Sequence, residues 1–460
     1  MGASRWCACS GWPSSWIHGP GSTGSSRPLR RGRSPSWNGE RKAGPGSGEF
    51  EAMRRLEVRL DWGDQEVLVG TLAEQDRRVY FEYDPGFVRS PLPLSPFKLP
   101  VRPDLVEHLD RDFAGVFGVF NDSLPDGWGL LLMDREFRKR GFDPARLTAL
   151  DRLAYIGTRG MGALTYHPPS DMDAQEAPRI DLVAVAGQAK RILEGSAEEV
   201  LPALRIAGGS PGGARPKVLV GVGDDGHMVS GTASLPDGVR HYLVKFPARE
   251  DGAEIGAVEA AYALMAREAG VDLPGTRLFE TPDGGRYFGA ERFDRDGDRR
   301  VHMHTLGGLF HASHRIPSME YEGFLKATLV LTKDHRQVEE AFRRMAFNVL
   351  AHNRDDHVKN VSFLMDPSGT WRLAPGYDLV FSDGPAGHHT MAVAGEAEHP
   401  TEQDMLDVGQ GSGVDARRGR EILQEVRHAV GQWPDFARRT GVPAEAERRI
   451  GEVISRLGAR

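Results

Sequence analysis

From Met53 onward the chain alternates. Leu56, Val58, Leu60 and Trp62 are separated by charged residues, Gly63-Asp64 supplies a turn, and Val67, Val69, Val79 and Phe81 continue the same period of two. Residues two apart share one face of a strand, so this spacing predicts a half-buried antiparallel sheet. The proline-rich stretch 83–104 predicts a loop. Asp151 to Tyr166 predicts a short helix, a glycine-rich turn and a strand, closing a small β-rich block over about 53–170. Within it, Asn121-Asp122-Ser123-Leu124-Pro125-Asp126-Gly127-Trp128-Gly129 is a turn leading into a helix near Leu130–Phe137. Such a turn caps a helix and positions an aromatic, and no chemical role is assigned to it.

Residues 168–182 open on Pro168-Pro169 and continue as a polar, acidic linker. Asp181 to Leu204 has helical spacing, and strands are predicted at Lys217–Val222, Arg240–Phe246, Thr276–Phe279 and Arg286–Phe293. A helix at Glu254–Ala269 places Val258, Ala261, Tyr262 and Met265 on one face. After about 300 the strand signals fade. Helices are predicted at Glu322–Val330, Glu339–Leu350 and Arg420–Trp433, and a last one through Ile450, Val453, Ile454 and Leu457. The expected fold class is therefore α+β. A small β-rich lobe (171–300) precedes a large helical lobe (301–460), which is the order of a two-lobed protein kinase, behind an N-terminal domain over 53–170. No internal repeat interrupts this order.

Composition narrows the picture. The 460 residues suffice for two or three domains, and a net charge of −7 with 27% charged residues of both signs argues against a general nucleic-acid-binding surface. No run approaches the roughly 18 apolar residues of a membrane span. Both cysteines, Cys7 and Cys9, fall at the extreme N-terminus, so the body lacks thiols and the expected compartment is reducing, that is, cytoplasmic. Residues 1–52 are rich in Gly, Ser, Pro, Trp and Arg, with a basic cluster at Arg30-Arg31-Gly32-Arg33 but no apolar h-region. They predict a disordered tail, or a start placed too early with Met53 as the first residue.

The chemistry concentrates in Asn353-Arg354-Asp355-Asp356-His357-Val358-Lys359-Asn360-Val361, followed by Tyr377-Asp378-Leu379. Transfer of a phosphoryl group needs a carboxylate beside the attacking hydroxyl, and oxygen donors to hold the metal that neutralises the phosphates. Asp355 suits the first task, as catalytic base. Asn360 and Asp378 suit the second, as ligands to Mg²⁺. Lys359 can neutralise the γ-phosphate, and His357 sits near it. The polar run lies between two apolar segments, Phe347–Leu350 and Val361–Leu364, an expensive place for polar groups without a task. Upstream, Gly208 to Lys217 is a glycine-rich segment before a strand, and Gly212, Gly213 and Ala214 would let backbone amides approach phosphate oxygens. Lys245, ending an apolar strand, would pair with the α- and β-phosphates of ATP. Glu259 is the better of two candidate partners for it, Glu254 being the other. Glu291, Arg292 and Phe293 end the last strand, where a kinase hinge would bond the adenine edge. His388-His389, in the loop Gly384–Thr390, are assigned no role.

Together, Asn353-x-Asp355-x-His357-x-Lys359-Asn360, Tyr377-Asp378-Leu379, Leu243-Val244-Lys245-Phe246-Pro247, Glu291-Arg292-Phe293-Asp294 and Leu124-Pro125-Asp126 resemble the HipA family, the serine/threonine kinase toxins of type II toxin–antitoxin modules. The resemblance runs from about residue 53 to the C-terminus. It implies ATP and Mg²⁺ as cofactors, with Asp355 as base, Lys217 and Lys245 on the phosphates, and Glu291 to Phe293 with Tyr377 around the nucleotide. It implies that Ser210 is an autophosphorylation site whose modification ejects the loop. It also implies a helix-turn-helix antitoxin of the HipB type, contact with operator DNA only through that antitoxin, and aminoacyl-tRNA synthetases as protein substrates. Val301–Phe310 lacks the glutamine-rich signature of the family's best-studied toxin and resembles a divergent branch, which puts the protein target in doubt and leaves the kinase chemistry intact. Two other readings stand beside this one: a small-molecule phosphotransferase of kinase-like fold, and an antitoxin-bound co-repressor with little turnover.

Overall fold

In the computed structural model the described residues are 55–110, 113, 115–169, 179–196, 204, 212–231 and 235–458. The alternating N-terminal segment forms a five-stranded sheet from β1 (Arg55–Asp61), β2 (Glu66–Gln75), β3 (Arg78–Tyr83), β4 (Val106–Glu107) and β5 (Leu164–His167), in the order β4-β3-β2-β1-β5. Every pairing is antiparallel. Leu56, Val58, Leu60 and Phe81 point to the buried face, as the period of two demands. The proline-rich stretch holds one helical turn, Pro85–Arg89. Asp84 caps it by accepting from Gly86 and Phe87, and Pro85 pre-sets its first φ.

A second antiparallel sheet carries the two candidate lysines, Lys217 and Lys245. Its strands are β6 (Lys217–Val222), β7 (Met228–Ser230), β8 (Arg240–Lys245), β9 (Thr276–Glu280) and β10 (Arg286–Glu291), in the order β7-β6-β8-β10-β9. Helix Ile255–Glu268 packs on it through an alanine-rich buried face. Gly256 permits this approach: a Cβ there would come within 2.3 Å of the Arg286 carbonyl oxygen. Helix Gly127–Lys139 precedes the linker in sequence but packs with this second sheet. Its Trp128 and Leu132 share a hydrophobic cluster with Val218, Val220, Val244 and Phe246.

The C-terminal region is chiefly helical, with helices Tyr321–Thr332, His335–Leu350, Glu402–Gly411, Ala416–Gly431, Trp433–Thr440 and Ala444–Gly458. The sequence pattern missed two of these and also a small sheet. That sheet pairs β13 (His302–Thr305) with β14 (Ser362–Met365) and β14 with β15 (Trp371–Leu373), beyond a two-residue hairpin formed by β11 (Arg295–Asp296) and β12 (Arg299–Arg300). One hydrophobic cluster runs continuously from Leu56 in the first sheet to Ile454 in the last helix. Buried polar contacts cross the same boundary. Asp122 accepts from the Thr305 amide and hydroxyl, each at 2.7 Å, and pairs with His304 at 2.6 Å. His304 in turn meets Ser95 Oγ at 3.0 Å. This serine–histidine–aspartate sequence has the order of a hydrolytic triad, but Ser95 and His304 are buried, so it ties the N-terminal sheet to β13.

Candidate active site

The segment Asn353–Val361 begins just beyond the end of helix His335–Leu350, and its two adjacent aspartates part company. The Asp355 side chain is 55% exposed, whereas that of Asp356 is 0% exposed. Asp356 accepts hydrogen bonds from Tyr321 Oη (2.7 Å) and the Thr390 amide (2.7 Å), and pairs with His389 Nδ1 at 2.8 Å. Asn348 extends the network, donating to Tyr321 Oη and accepting from Asn353. A buried carboxylate with every partner satisfied fixes the backbone beside it. Asp356 is thus the peg that presents Asp355. His389, given no role from sequence, is buried and belongs to this peg.

Across the cleft, β6 and β8 pair in a register that sets Lys217 directly opposite Lys245. Side chains opposite one another on antiparallel strands share a face, and like charges there repel unless anions answer them. Glu259 and Asp378 answer. Lys245 Nζ lies 2.8 Å from Glu259 and also bonds Asp378. Lys217 Nζ donates to the Gly212 carbonyl at 2.5 Å. Arg215 bridges Asp251 (2.9 Å) and Glu259 (3.2 Å). Burial opposes the charge on Lys245, but Asp378 and Glu259 outweigh it and raise its pKa. Burial likewise opposes the charge on Asp378, and Lys245 and Lys217 hold its carboxyl well below the usual range. Lys217 is the exception: burial, aided by Lys245, lowers its pKa despite Asp378. Asp378 itself takes a left-handed backbone (φ 54°), an uncommon conformation for a residue other than glycine.

The two halves of the helical-lobe motif are stitched together. Tyr377 Oη donates to the Lys359 carbonyl at 2.7 Å and bonds Ser362, while Asn353 Nδ2 reaches the Asp378 carbonyl at 3.4 Å. Asn360 Nδ2 donates to the Asp355 carbonyl at 2.8 Å, leaving its amide oxygen free to act as a donor to a cation. His357 stands 3.9 Å from Asp355, and its Nδ1 accepts from the Lys359 amide at 3.2 Å. Desolvation in the cleft, reinforced by Asp378, pushes the Asp355 carboxyl up, with His357 pulling the other way. A raised carboxyl suits a proton acceptor.

The residues singled out from sequence fall into three groups. Lys217, Lys245, Asp355, His357, Lys359, Asn360, Tyr377 and Asp378 come together around one cleft, with Gly212, Gly213 and Ala214 at the loop before β6. Ser210 lies outside the described residues. The expected hinge is less open than its sequence implied. The Glu291 and Arg292 amides donate to the Gly275 and His241 carbonyls at 2.7 and 2.9 Å, and the Glu291 carboxylate pairs with Tyr242 and Arg240. The Arg292 guanidinium is buried against Asp294, which holds the Gly162 amide of the N-terminal domain, so Arg292 serves that junction. Phe293 stays near the site, its ring 5.6 Å from that of Tyr377. Sequence reasoning missed Asp126, which pairs with Lys359 at 2.9 Å, and Arg215. Asp126 lies in the turn given no role, and only its proximity in three dimensions reveals it.

Among the described residues no group of three or more His, Cys, Asp or Glu side chains converges as a metal cage. Mg²⁺ does not need one, because it takes one or two protein oxygens together with water and phosphate oxygens. The Asp378 carboxylate and the Asn360 amide oxygen are donors of the kind that pattern uses. Among the described residues no helix is long and apolar enough to cross a membrane.

A lysine-bearing antiparallel sheet facing a helical region that presents Asp355, Asn360 and Asp378 defines a kinase-like fold behind a β-rich N-terminal domain. The chain belongs to the HipA family: residues 62–167 match the HipA N-terminal domain and residues 209–457 the HipA-like C-terminal domain. It is 26% identical over 349 residues to the provisionally named kinase Y4dM of Sinorhizobium fredii, spanning 71% of this chain and 76% of that protein. A provisionally named kinase of Haemophilus influenzae is 29% identical over 154 residues, 30% of this chain and 45% of that protein. The fold resembles a chain of the toxin–antitoxin complex of HipA, HipB and operator DNA from Shewanella oneidensis MR-1. The TM-score is 0.61 at 16% identity, over 88% of this chain and 95% of that one.

Proposed function

We propose that this protein is an ATP-dependent serine/threonine protein kinase, acting as the toxin of a type II toxin–antitoxin module. The observation that carries the reading is the cross-strand pair Lys217–Lys245, aimed at one spot and answered by Glu259 and Asp378. Two ammonium groups facing one another beside a glycine loop, with Lys217 held among the described residues by no carboxylate hydrogen bond but only by the Gly212 carbonyl, suit a polyanion such as a nucleotide triphosphate. In the reaction, Asp355 accepts the proton of the attacking hydroxyl as its oxygen bonds the γ-phosphorus, and the bond to the bridging oxygen breaks to release ADP. Lys245, oriented by Glu259, holds the α- and β-phosphates, and Lys359 neutralises charge on the transferred group. Mg²⁺ held by Asp378 and Asn360 would supply further neutralisation of the phosphates.

The finer features follow from family membership. Ser210 is the proposed autophosphorylation site, where a phosphate adding roughly −1.5 to −2 charges would expel the glycine loop from a cleft built for phosphates. A HipB-like helix-turn-helix antitoxin is the proposed partner, with operator DNA reached only through it. A protein such as an aminoacyl-tRNA synthetase is the proposed substrate, and the cytoplasm the proposed compartment. Incubation with γ-labelled ATP and Mg²⁺ tests the reading. Self-labelling that disappears in Ser210→Ala and Asp355→Ala supports it, as does growth arrest on expression that requires Asp355. Transfer to a small-molecule hydroxyl without self-labelling would favour the small-molecule phosphotransferase. Growth arrest by Asp355→Ala as strong as by the parent would favour a binding module.

A further inference from the structure

The N-terminal domain contributes to the cleft through one residue. Asp126 precedes helix Gly127–Lys139, and its carboxylate accepts from the Gly213 amide while pairing with Lys359 Nζ at 2.9 Å. Burial opposes its charge, yet Lys359 and the Gly213 amide keep its pKa below the usual range. The two residues after it fasten the same loop. The Trp128 amide donates to the Gly213 carbonyl at 3.0 Å, and the Trp128 indole N–H donates to the Lys217 carbonyl at 3.1 Å. Gly127 is required for this approach. It has φ 41°, and a Cβ on it would stand 2.6 Å from the Gly213 carbonyl oxygen. Trp128 and Leu132 are buried in the cluster under β6 and β8, so Asp126 is mounted rigidly on the lysine-bearing sheet. Lys359 belongs to the opposite wall, on the loop that carries Asp355. The Asp126–Lys359 pair therefore joins the helix mounted on the lysine-bearing sheet to the loop that carries Asp355.

We propose that Asp126 is a positioning residue for phosphoryl transfer: it restrains Lys359 against the Gly213 loop, so that the N-terminal domain completes the kinase site. This rests on the kinase reading above. Lysine is a point charge on a four-carbon stem, and an ammonium that wanders contributes little to a transition state. A carboxylate fixed to the opposing wall removes that freedom before substrate arrives. Asp126 touches neither reacting atom and works through Lys359 and the loop amide.

The experiment separates these two contacts. Asp126→Asn keeps an oxygen that can accept from Gly213 but removes the charge that holds Lys359. The expected result is a fall in kcat of roughly tenfold to a hundredfold with KM for ATP changed by less than about twofold. Asp126→Ala loses both contacts and should raise KM as well. In a Lys359→Met background, Asp126→Asn should lower kcat no further. Calorimetric titration with ATP and Mg²⁺ gives the binding constants independently of turnover. A rise in kcat/KM for Asp126→Asn would show that the carboxylate merely competes with phosphate, and overturns the proposal. So does an undiminished effect in the Lys359→Met background. Should Asp126→Asn not fold, Asp126→Ser removes the charge with a smaller side chain, and an unchanged kcat there overturns it equally. If the parent chain turns over no ATP, the kinase reading itself fails.

Discussion

Replacing Lys217 by methionine should make the free protein more stable and its nucleotide complex weaker. Methionine has nearly the length of the lysine stem and no charge, so the substitution removes a buried ammonium facing Lys245 without opening a cavity. Replacing buried charges by apolar groups of similar volume often stabilises a protein by about 1–4 kcal/mol. The lower half of that range applies here, because the mutation also forfeits the bond to the Gly212 carbonyl and some attraction to Asp378. The sign has a pH signature. Lys217 titrates below its unfolded value, so its charge destabilises the fold, with the full penalty present below its depressed folded pKa. The penalty is relieved as pH rises from the depressed folded pKa toward the unfolded value of 10.5. The stability gap between Lys217→Met and the parent should therefore shrink as pH is raised toward 10.5. Loss of one charge-assisted contact to phosphate, about 1.5–3 kcal/mol, predicts roughly ten- to hundredfold weaker binding of ATP. Thermal melts with and without ATP and Mg²⁺ measure both effects. A variant that melts lower than the parent without nucleotide, or gains as much from ATP, would refute the account of this lysine pair.

Three further outcomes can be measured. Asp356→Asn places an amide N–H₂ or a single oxygen against three hydrogen-bond donors, so the fold should lose about 2–4 kcal/mol in denaturant titration and kcat should fall although Asp355 is untouched. Because Asp355 is held above the ordinary aspartate pKa, the acid limb of kcat/KM should lie above that of a free aspartate; it should move higher still in His357→Ala, which removes a neighbouring positive charge, and an unmoved limb would exclude Asp355 as its source. Asp122→Ala should destabilise the junction of the N-terminal sheet with β13 by about 2–4 kcal/mol, and fluorophosphonate probes should leave Ser95 unlabelled in the folded parent, since its hydroxyl is buried.

How much of this was legible beforehand depends on whether a residue acts through its neighbours in sequence or through partners far away. The strands β1 to β3 follow from period-two patterning, β6 and β8 to β10 from short runs rich in β-branched and aromatic residues, and helix Ile255–Glu268 from its apolar face. These signals are local. The strands β13 to β15 have three or four residues each, too few to show a period, and the apolar run Val361–Leu364 reads equally well as packing beside a loop. The choice of Glu259 over Glu254 was also local, because its place beside Val258 and Tyr262 put it on the inward side, and the structure pairs it with Lys245. Asp356 and His389 could not be read that way. In sequence Asp356 is a second aspartate next to a better candidate, and His389 a histidine in a glycine-rich loop. Their 2.8 Å pairing is made across 33 residues and sealed from solvent by the same fold that it anchors. Asp126 is the extreme case, 233 residues from Lys359 and separated from it by the linker. Its turn reads as a helix start, and it is one. The residue before a helix has a free carboxylate when it does not cap its own helix, and Asp126 makes no such cap. A turn of that kind is therefore worth testing for a distant cation, here an ammonium in the catalytic loop.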